Sequence, residues 1–482
     1  MNNKKVVTNY IYNLMYQLLI IILPIITTPY LSRVLGAEKI GIYGYTISIV
    51  TYFSIFGALG INKYAQREIA YVQDNEQKRN KIFWELNIIK AITITISIVI
   101  YYLVFCLDGD FDIYFRILLL ELSSIYLDIS WYYQGMENFK RITIRNFIMR
   151  ILGIILIFLF VKCPSDLTKY ILIYALTNLL GNALLWINLD NNIRFYFPKS
   201  NELVRHIKPI ISLFIPQIAT SIYTILDKTM LGFITQNMSE VGFYEQSQKI
   251  IKVALISVTS LSIVMMPRIS INNAKGKKKE IVNLMKTSFS FDYMLGFAIA
   301  FGIMGISRNF VPWFFGDEYI KVSNLMFCAS PIIIFISIST TIGNQYFVAM
   351  KKQNIQTISV ICGAFVNVIL NICLIPSLLS LGATISTIIA EMIIALIEIA
   401  FLIKKEKFKV NYIFSGFVKY CLCGFIMFCI VFITGLLLKP TIINTFIQII
   451  EGAIIYISLL FILKDKYIFL VYNKLKNKKG MS

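Results

Sequence analysis

The fold is decided near the start of the chain by the uncharged stretch IYNLMYQLLIIILPIITTPY, which runs from Ile11 to Tyr30. A helix of about 20 apolar residues crosses the roughly 30 Å hydrocarbon core of a bilayer. Comparable blocks recur along the whole chain, beginning with Ile40–Ile61 and Ile88–Cys106. Backbone amides in lipid must be paired within their own segment, so such blocks form helices. The pattern predicts an all-α integral membrane protein with about 14 transmembrane helices.

Composition supports a chain that lies almost entirely in the membrane. Of 482 residues, 57% are hydrophobic and only 15% are charged, with a mean hydropathy of +0.71. Soluble domains carry about a quarter of their residues as charges. The first apolar block is too long for the core of a cleavable signal peptide, which makes it the first span. We therefore expect no soluble catalytic domain.

The basic excess has a topological explanation. The chain holds 46 Lys and Arg against 26 Asp and Glu, a net charge of +20. Its basic clusters fall in links on one side of the predicted spans, including Lys275–Lys279, Lys404–Lys409 and Lys474–Lys479. Because loops rich in Lys and Arg stay inside, both termini are predicted to be cytoplasmic. Nucleic acid is not an expected partner.

An internal repeat divides the predicted spans. Gly41-Ile-Tyr opens the second span and Gly242-Phe-Tyr opens the eighth, 201 residues later, and Arg67 and Arg268 share that offset. Chance is the alternative, because Gly-x-Tyr recurs easily in apolar sequence. A duplicated unit of six spans would make the two copies parallel. The predicted domains are an N-lobe at 1–190, a cytoplasmic linker at 191–209, a C-lobe at 210–403, and two further helices with a basic cytoplasmic tail at 404–482.

The linker contains the only histidine, His206, beside Arg205 and Lys208. A histidine in such a basic link is expected to be a surface residue, with a ligand or proton-relay role as the alternative.

Four cations are candidates for binding substrate. Arg33, Arg67 and Arg268 sit near span ends, and a guanidinium group donates paired hydrogen bonds to phosphate while staying charged. An ordinary topological arginine would occupy the same positions. The fourth cation, Lys228, lies beside Asp227 in the seventh span. Both side chains could line a cavity, or they could lie near the membrane surface with their charged groups in water.

Three carboxylates are candidates for an ion relay or for a role in the lobes: Glu121, Asp128 and Asp227. Glu121 and Asp128 are seven residues apart in the fourth span, which places them on much the same helix face. A buried, packed pair is the alternative. The eight cysteines are interpreted as packing residues without a metal. The sequence has no Gly-x-Ser-x-Gly, His-Glu-x-x-His or phosphate-binding loop, so neither an enzyme nor a cofactor is predicted.

Four stretches of the chain resemble the polysaccharide (oligosaccharide) flippases, or Wzx-like proteins, of the MOP exporter superfamily. That superfamily also contains MATE drug exporters and lipid II flippases. The stretches are Thr28-Pro-Tyr-Leu-Ser-Arg-Val-Leu-Gly36, Asp128-Ile-Ser-Trp-Tyr-Tyr-Gln-Gly-Met-Glu137, Leu226-Asp-Lys-Thr-Met-Leu-Gly232 and Gly242-Phe-Tyr-Glu245.

The resemblance implies two six-helix lobes around a central V-shaped cavity, plus two helices. It implies export of oligosaccharides linked to undecaprenyl diphosphate across the bacterial inner membrane by alternating access, for O-antigen, capsule or teichoic acid. A polymerase and a chain-length regulator would then be partners besides membrane lipids. Arg33, Arg67 and Arg268 occupy places comparable to the cavity cations of lipid II flippases. Asp128 or Glu121 would be the counterparts of the MATE carboxylates. A MATE-type cation exporter and an oligosaccharide polymerase are the alternatives.

Overall fold

The computed structural model describes residues 3–187, 189 and 193–469, with side chains throughout except at 3–22, 215–217, 219–224 and 263. Part of the predicted linker and the basic tail with Lys474–Lys479 lie outside these residues. Every regular element within the described ranges is a helix. The predicted all-α class is therefore confirmed.

The chain divides into two compact units, Met1–Gly242 and Phe243–Ser482. The predicted lobe boundaries stay a prediction. The first unit contains α1 (Asn3–Ala58), α2 (Ile61–Tyr71), α3 (Glu76–Phe105), α4 (Asp112–Leu127), α5 (Ser130–Gly135), α6 (Phe139–Phe160), α7 (Leu167–Ile187), α8 (Ser200–Thr235) and the start of α9 (Met238–Ala274). The second continues with α10 (Lys278–Phe315), α11 (Ile320–Ala329), α12 (Ile332–Thr340), α13 (Gln353–Leu378), α14 (Ser380–Lys404), α15 (Val410–Ile413), α16 (Phe417–Leu437) and α17 (Ile442–Ile462).

Ten helices among the described residues are long and apolar enough to cross a membrane, or 11 if one bent pair counts as a single span. In α6 only 6% of the most apolar window is buried, as expected of a helix that faces lipid. These helices make the protein a multi-pass membrane protein. The predicted count of 14 is not confirmed.

Two local features each remove one predicted span from the count. The first two predicted spans are joined in α1 across Gly36, whose backbone has φ 78° and ψ 171°. Glycine adopts that conformation without the penalty that a β-carbon brings. The fourth predicted span is interrupted, because α4 ends at Leu127 and α5 begins at Ser130.

The core of the first unit is aromatic and is built around the Asp-Ile-Ser-Trp motif. Trp131, Tyr132 and Tyr133 are fully or almost fully buried. The ring of Phe83 on α3 lies 5.4 Å from that of Trp131 and 5.3 Å from that of Tyr132, centroid to centroid. Aromatic pairs of this kind contribute more to stability than the burial of their surface area alone. The motif that carries the resemblance is therefore also the centre of this unit's packing.

The second unit contains a polar contact deep in its helices. After α12 the chain forms one π-helical segment, Thr341–Phe347, in which Val348 N donates to the Gly343 carbonyl at 3.0 Å. Thr341 Oγ1 donates to Asp292 Oδ2 on α10 at 2.5 Å. The neighbours of these two residues, Tyr293 and Ile342, belong to the buried hydrophobic cluster of this unit, together with Phe289 and Phe297 of α10. The wider π turn brings polar side chains inward between α10 and α12.

Candidate functional site

Arg67 lies on the short amphipathic helix α2. That helix begins after Gly60, which has a left-handed backbone with φ 68°, and buries Tyr64 and Ile69 among its inward residues. The Arg67 guanidinium is 3.0 Å from Glu68 Oε1 and 5.2 Å from the Tyr64 ring centroid. Its side chain is 47% exposed. Arg67 is thus a cation held by an aromatic face and an exchangeable surface ion pair.

His206 is buried, so the prediction of a surface residue is wrong. Helix α8 begins at Ser200, ten residues before the predicted span, and turns His206 inward with only 3% of it exposed. One ring nitrogen lies 2.8 Å from the Tyr64 hydroxyl and the other 2.8 Å from Glu85 Oε2. The end of the predicted basic linker is therefore the first part of α8, and one face of that helix is buried.

Glu85 on α3 completes a cluster that sequence reasoning missed. It is fully buried, and Arg205 donates to its Oε2 at 2.5 Å. Lys81 forms a further ion pair with Glu202, again between α3 and α8. The signal was present in the spacing: Lys81 and Glu85 are four residues apart, as are Glu202 and His206, so complementary groups share facing helix surfaces. The cluster fixes α2 against α3 and α8.

Asp128 lies at the break between α4 and α5. Its Oδ1 accepts from Ser130 N at 2.9 Å, and its Oδ2 accepts from Asn62 Nδ2 at 3.4 Å. Lys90 on α3, only 1% exposed, donates to the Asp128 carbonyl at 2.7 Å. These bonds replace helical partners that the break removes. Asp128 is thus tied to local backbone structure.

Glu121 has a different partner from Asp128, although the two were predicted on one face. Its Oε2 accepts from Asn178 Nδ2 on α7 at 2.9 Å. Glu121 is half-buried between α4 and α7. Its contact is therefore lateral, within the helix bundle.

The remaining candidates are spread over three helices. Arg33 is exposed on α1, three residues before Gly36. On α8, Asp227 is buried and Lys228 is half-buried. Arg268 is exposed on α9, directly after Pro267, and belongs to the second unit. A shared substrate-binding role for these residues stays a prediction.

Comparison with known proteins shows the family to which the chain belongs. A family model described as a polysaccharide biosynthesis protein matches residues 6–273, more than half of the sequence. The chain belongs to the polysaccharide biosynthesis protein family. This family member is 24% identical over 385 residues to a protein of Escherichia coli (strain K12) named for O-antigen transport, covering 79% of this chain and 92% of that protein.

A second relative of this family member also aligns over most of the chain. It is Agl15 of Haloferax volcanii, named as a flippase of low-salt glycan biosynthesis, with 22% identity over 437 residues, 89% of this chain and 90% of Agl15.

Solved structures share the fold. The lipid II flippase MurJ in an inward closed conformation has a TM-score of 0.75 at 17% identity, covering 96% of this chain and all of MurJ. An inward-facing MATE transporter of the MOP superfamily has a TM-score of 0.63 at 13% identity, covering 85% of this chain and 94% of the transporter. The polysaccharide biosynthesis protein described here therefore has the MOP fold, as the sequence predicted.

Proposed function

We propose that this protein is a flippase that moves a lipid-linked oligosaccharide from the inner to the outer leaflet of the bacterial inner membrane, for surface polysaccharide assembly. The main support for this proposal is the family match over residues 6–273. Relatives named for O-antigen transport and for glycan flipping align over 79% and 89% of the chain. We place both termini in the cytoplasm, with a polymerase and a chain-length regulator as downstream partners.

The cargo we propose is an oligosaccharide on undecaprenyl diphosphate. Its sugars and diphosphate must pass a region where a bare charge costs about 3 kcal/mol or more. A water-filled path with fixed cations lowers that barrier, and the prenyl chain can remain in lipid. Alternating access then moves the head group without opening a pore.

Four cations are our proposed contacts for the diphosphate: Arg33, Arg67, Lys228 and Arg268. Arg33, Arg67 and Arg268 are exposed. Arg67 is the best supported, because its ion pair with Glu68 is solvent-accessible at 3.0 Å and a diphosphate can replace that carboxylate. An arginine fork also matches phosphate geometry better than a lysine does.

Energy coupling, if present, needs a titratable or ion-binding carboxylate, and we propose Glu121, Asp128 or Asp227. A membrane potential supplies about 2.3 kcal/mol per charge per 100 mV. Liposomes with and without an imposed gradient test this point. Equal flipping rates and extents after the gradient is collapsed would rule coupling out.

Deleting the protein and locating lipid-linked repeat units by leaflet tests the main proposal. A flippase defect traps them on the cytoplasmic side. Loss of a polymerase instead leaves single repeat units on the outer face. Drug sensitivity with a normal surface glycan would identify a MATE-type exporter and overturn the proposal.

A further inference from the structure

A cavity of about 540 Å³ lies in the second unit, where α10 and α16 approach their C-terminal ends and α11 begins. Its polar side includes Arg308 and Asn309 on α10 and Asn324 on α11. Arg308 and Asn324 are exposed. Within the part of the chain that the structure describes, Arg308 forms no hydrogen bond or ion pair. Its guanidinium group is therefore available to a ligand from outside the protein.

Other walls of the cavity are apolar and open towards lipid. Phe327 on α11 is 38% exposed, and Leu436 on α16 is 51% exposed. Phe432, one turn before Leu436, also lines the cavity. Helices α10 and α16 are both long and apolar enough to cross a membrane, so exposed apolar side chains on them contact lipid chains. The cavity thus combines a cationic end with apolar sides, which matches the two parts of a phospholipid.

The depth of Arg308 in the membrane suits a lipid headgroup. Asn309 Nδ2 donates to the Gly435 carbonyl at 3.0 Å, which places Arg308 level with the last turn of α16. Trp313 lies five residues, or about 7.5 Å, nearer the end of α10, and tryptophan is enriched at the membrane–water interface. A bare charge inside that interface is costly, so Arg308 either extends towards water or binds an anion from the surrounding lipid.

The wall behind Arg308 is held by buried hydrogen bonds. Asn309 also donates to Gln448 Oε1 on α17 at 3.2 Å, and Gln448 Nε2 donates to the Val431 carbonyl on α16 at 2.9 Å. Asn309 is 2% exposed and Gln448 is fully buried. These bonds fix α10 against α16 and α17 before any ligand arrives. Binding to a preformed wall loses less entropy than binding that must order it.

We propose that this cavity binds an anionic phospholipid whose phosphodiester group lies on Arg308 and Asn324. The acyl chains follow Phe327, Phe432 and Leu436 into the hydrocarbon. Among the described residues, Arg308 is the one cation that lines the cavity. One guanidinium group balances the single charge of a phosphodiester with paired hydrogen bonds, whereas a diphosphate carries more charge than it can balance.

The leaflet that supplies this lipid follows from the topology. Because both termini are proposed to be cytoplasmic, α10 and α16 end on the outer side of the membrane, and the lipid comes from the outer leaflet. The site itself goes beyond the proposed function, since neither its chemistry nor its test depends on the oligosaccharide cargo.

Local enrichment of one lipid at the cavity tests the proposal. A fluorophore is attached to Ile320→Cys in a chain whose eight native cysteines are removed, because Ile320 lines the cavity and is 64% exposed. Vesicles contain phosphatidylcholine and phosphatidylglycerol, with a nitroxide quencher on the acyl chains of one lipid or the other. We expect quenching that corresponds to about fivefold enrichment of phosphatidylglycerol, the attraction of one basic residue for an anionic lipid.

Arg308→Gln should abolish this preference, so that the two quenchers act equally. Lys169→Gln is the matched control, because Lys169 near the start of α7 is 59% exposed, pairs with Asp166 and lies on the same side of the membrane in the proposed topology. This control should keep the preference. Equal quenching by the two lipids when Arg308 is intact would overturn the site, as would a preference that survives Arg308→Gln.

Two further measurements need no change at Arg308. Raising the ionic strength tenfold should shrink the preference, because salt screens exposed charges, and a preference unaffected by salt would contradict recognition through charge. Undecaprenyl diphosphate, added as a minor component, should leave the quenching by phosphatidylglycerol unchanged. If it instead removes that quenching, the cavity takes the carrier lipid and the assignment to a phospholipid is wrong.

Discussion

Glu85 on α3 and His206 on α8 share a buried hydrogen bond of 2.8 Å. The same carboxylate accepts from Arg205, and the other ring nitrogen of His206 meets Tyr64 on α2. The helix that carries Arg67 is thereby held against α3 and α8 by polar contacts. Removing one member of such a cluster leaves the buried polar groups that it paired without a partner, which destabilises the fold.

Glu85→Ala should destabilise the protein by about 3 kcal/mol or more, because it leaves His206 and Arg205 without their buried acceptor. Thermal unfolding in detergent measures the effect. Glu38→Ala is the control, since Glu38 is exposed and its ion pair is with its neighbour Lys39. Unfolding midpoints that drop equally in the two variants would contradict the assignment.

Lys90→Met should destabilise the break between α4 and α5 by about 1–3 kcal/mol, the cost of a buried carbonyl that loses its donor. The carbonyl is that of Asp128, 2.7 Å from Lys90 Nζ. Lys63→Met, on the exposed side of α2, should change stability by no more than about 0.5 kcal/mol. A native-like midpoint for Lys90→Met would show that the carbonyl finds another donor.

Asp128 can be tested for a structural against an ion-relay role by two substitutions. Asp128→Asn keeps an acceptor for Ser130 N, whereas Asp128→Leu removes it. If Asp128 acts through the helix break, the asparagine variant should flip cargo nearly normally and the leucine variant should be unstable. Loss of transport in a stable asparagine variant would instead assign Asp128 to ion coupling.

Arg67→Ala and Arg268→Ala should each lower export about tenfold or more at normal protein levels, because each removes a charge-assisted contact to phosphate. Surface polysaccharide in a deletion strain is the measurement. Lys63→Ala removes a nearby exposed charge and should have no effect. Full complementation by the double arginine variant would remove both residues from the site.

The stabilising contacts of Glu202 at the start of α8 should persist in mildly acidic solution. Hydrogen bonds from Lys81, Tyr196 and Lys199 N lower the pKa of Glu202 to about 2. A lowered carboxyl pKa adds stability above the unfolded pKa of about 4.3, and that stability is lost as the pH falls towards 2. The midpoint difference between the wild type and Glu202→Gln should therefore stay constant from about pH 8 to pH 5 and shrink only below pH 4.5. A difference that already shrinks between pH 7 and 5 would contradict this.

Apolar block length was sufficient to predict the all-helical membrane fold, because a bilayer imposes one length on every crossing. The break at Asp128 was not predictable, since it is stabilised by Lys90 and Asn62 from distant parts of the chain. The prediction of a surface position for His206 was wrong for the same reason. Hydropathy reflects the polarity of the side chain, but it does not show that Glu85, distant in sequence, pairs with it. The roles of Arg67 and Arg268 depend on a bound substrate, and sequence and fold alone leave them as predictions.

Gly41 and Gly242 of the internal repeat pack closely, since β-carbons built on them would lie 1.6 and 2.1 Å from the carbonyl oxygens of Met238 and Ala37. If the two halves arose by gene duplication, the two glycines descend from one position of a shorter ancestral sequence. Duplication left each copy free to change on its own, yet each still lies beside a carbonyl oxygen too close for a methyl group. A substitution at either position therefore meets the same steric limit.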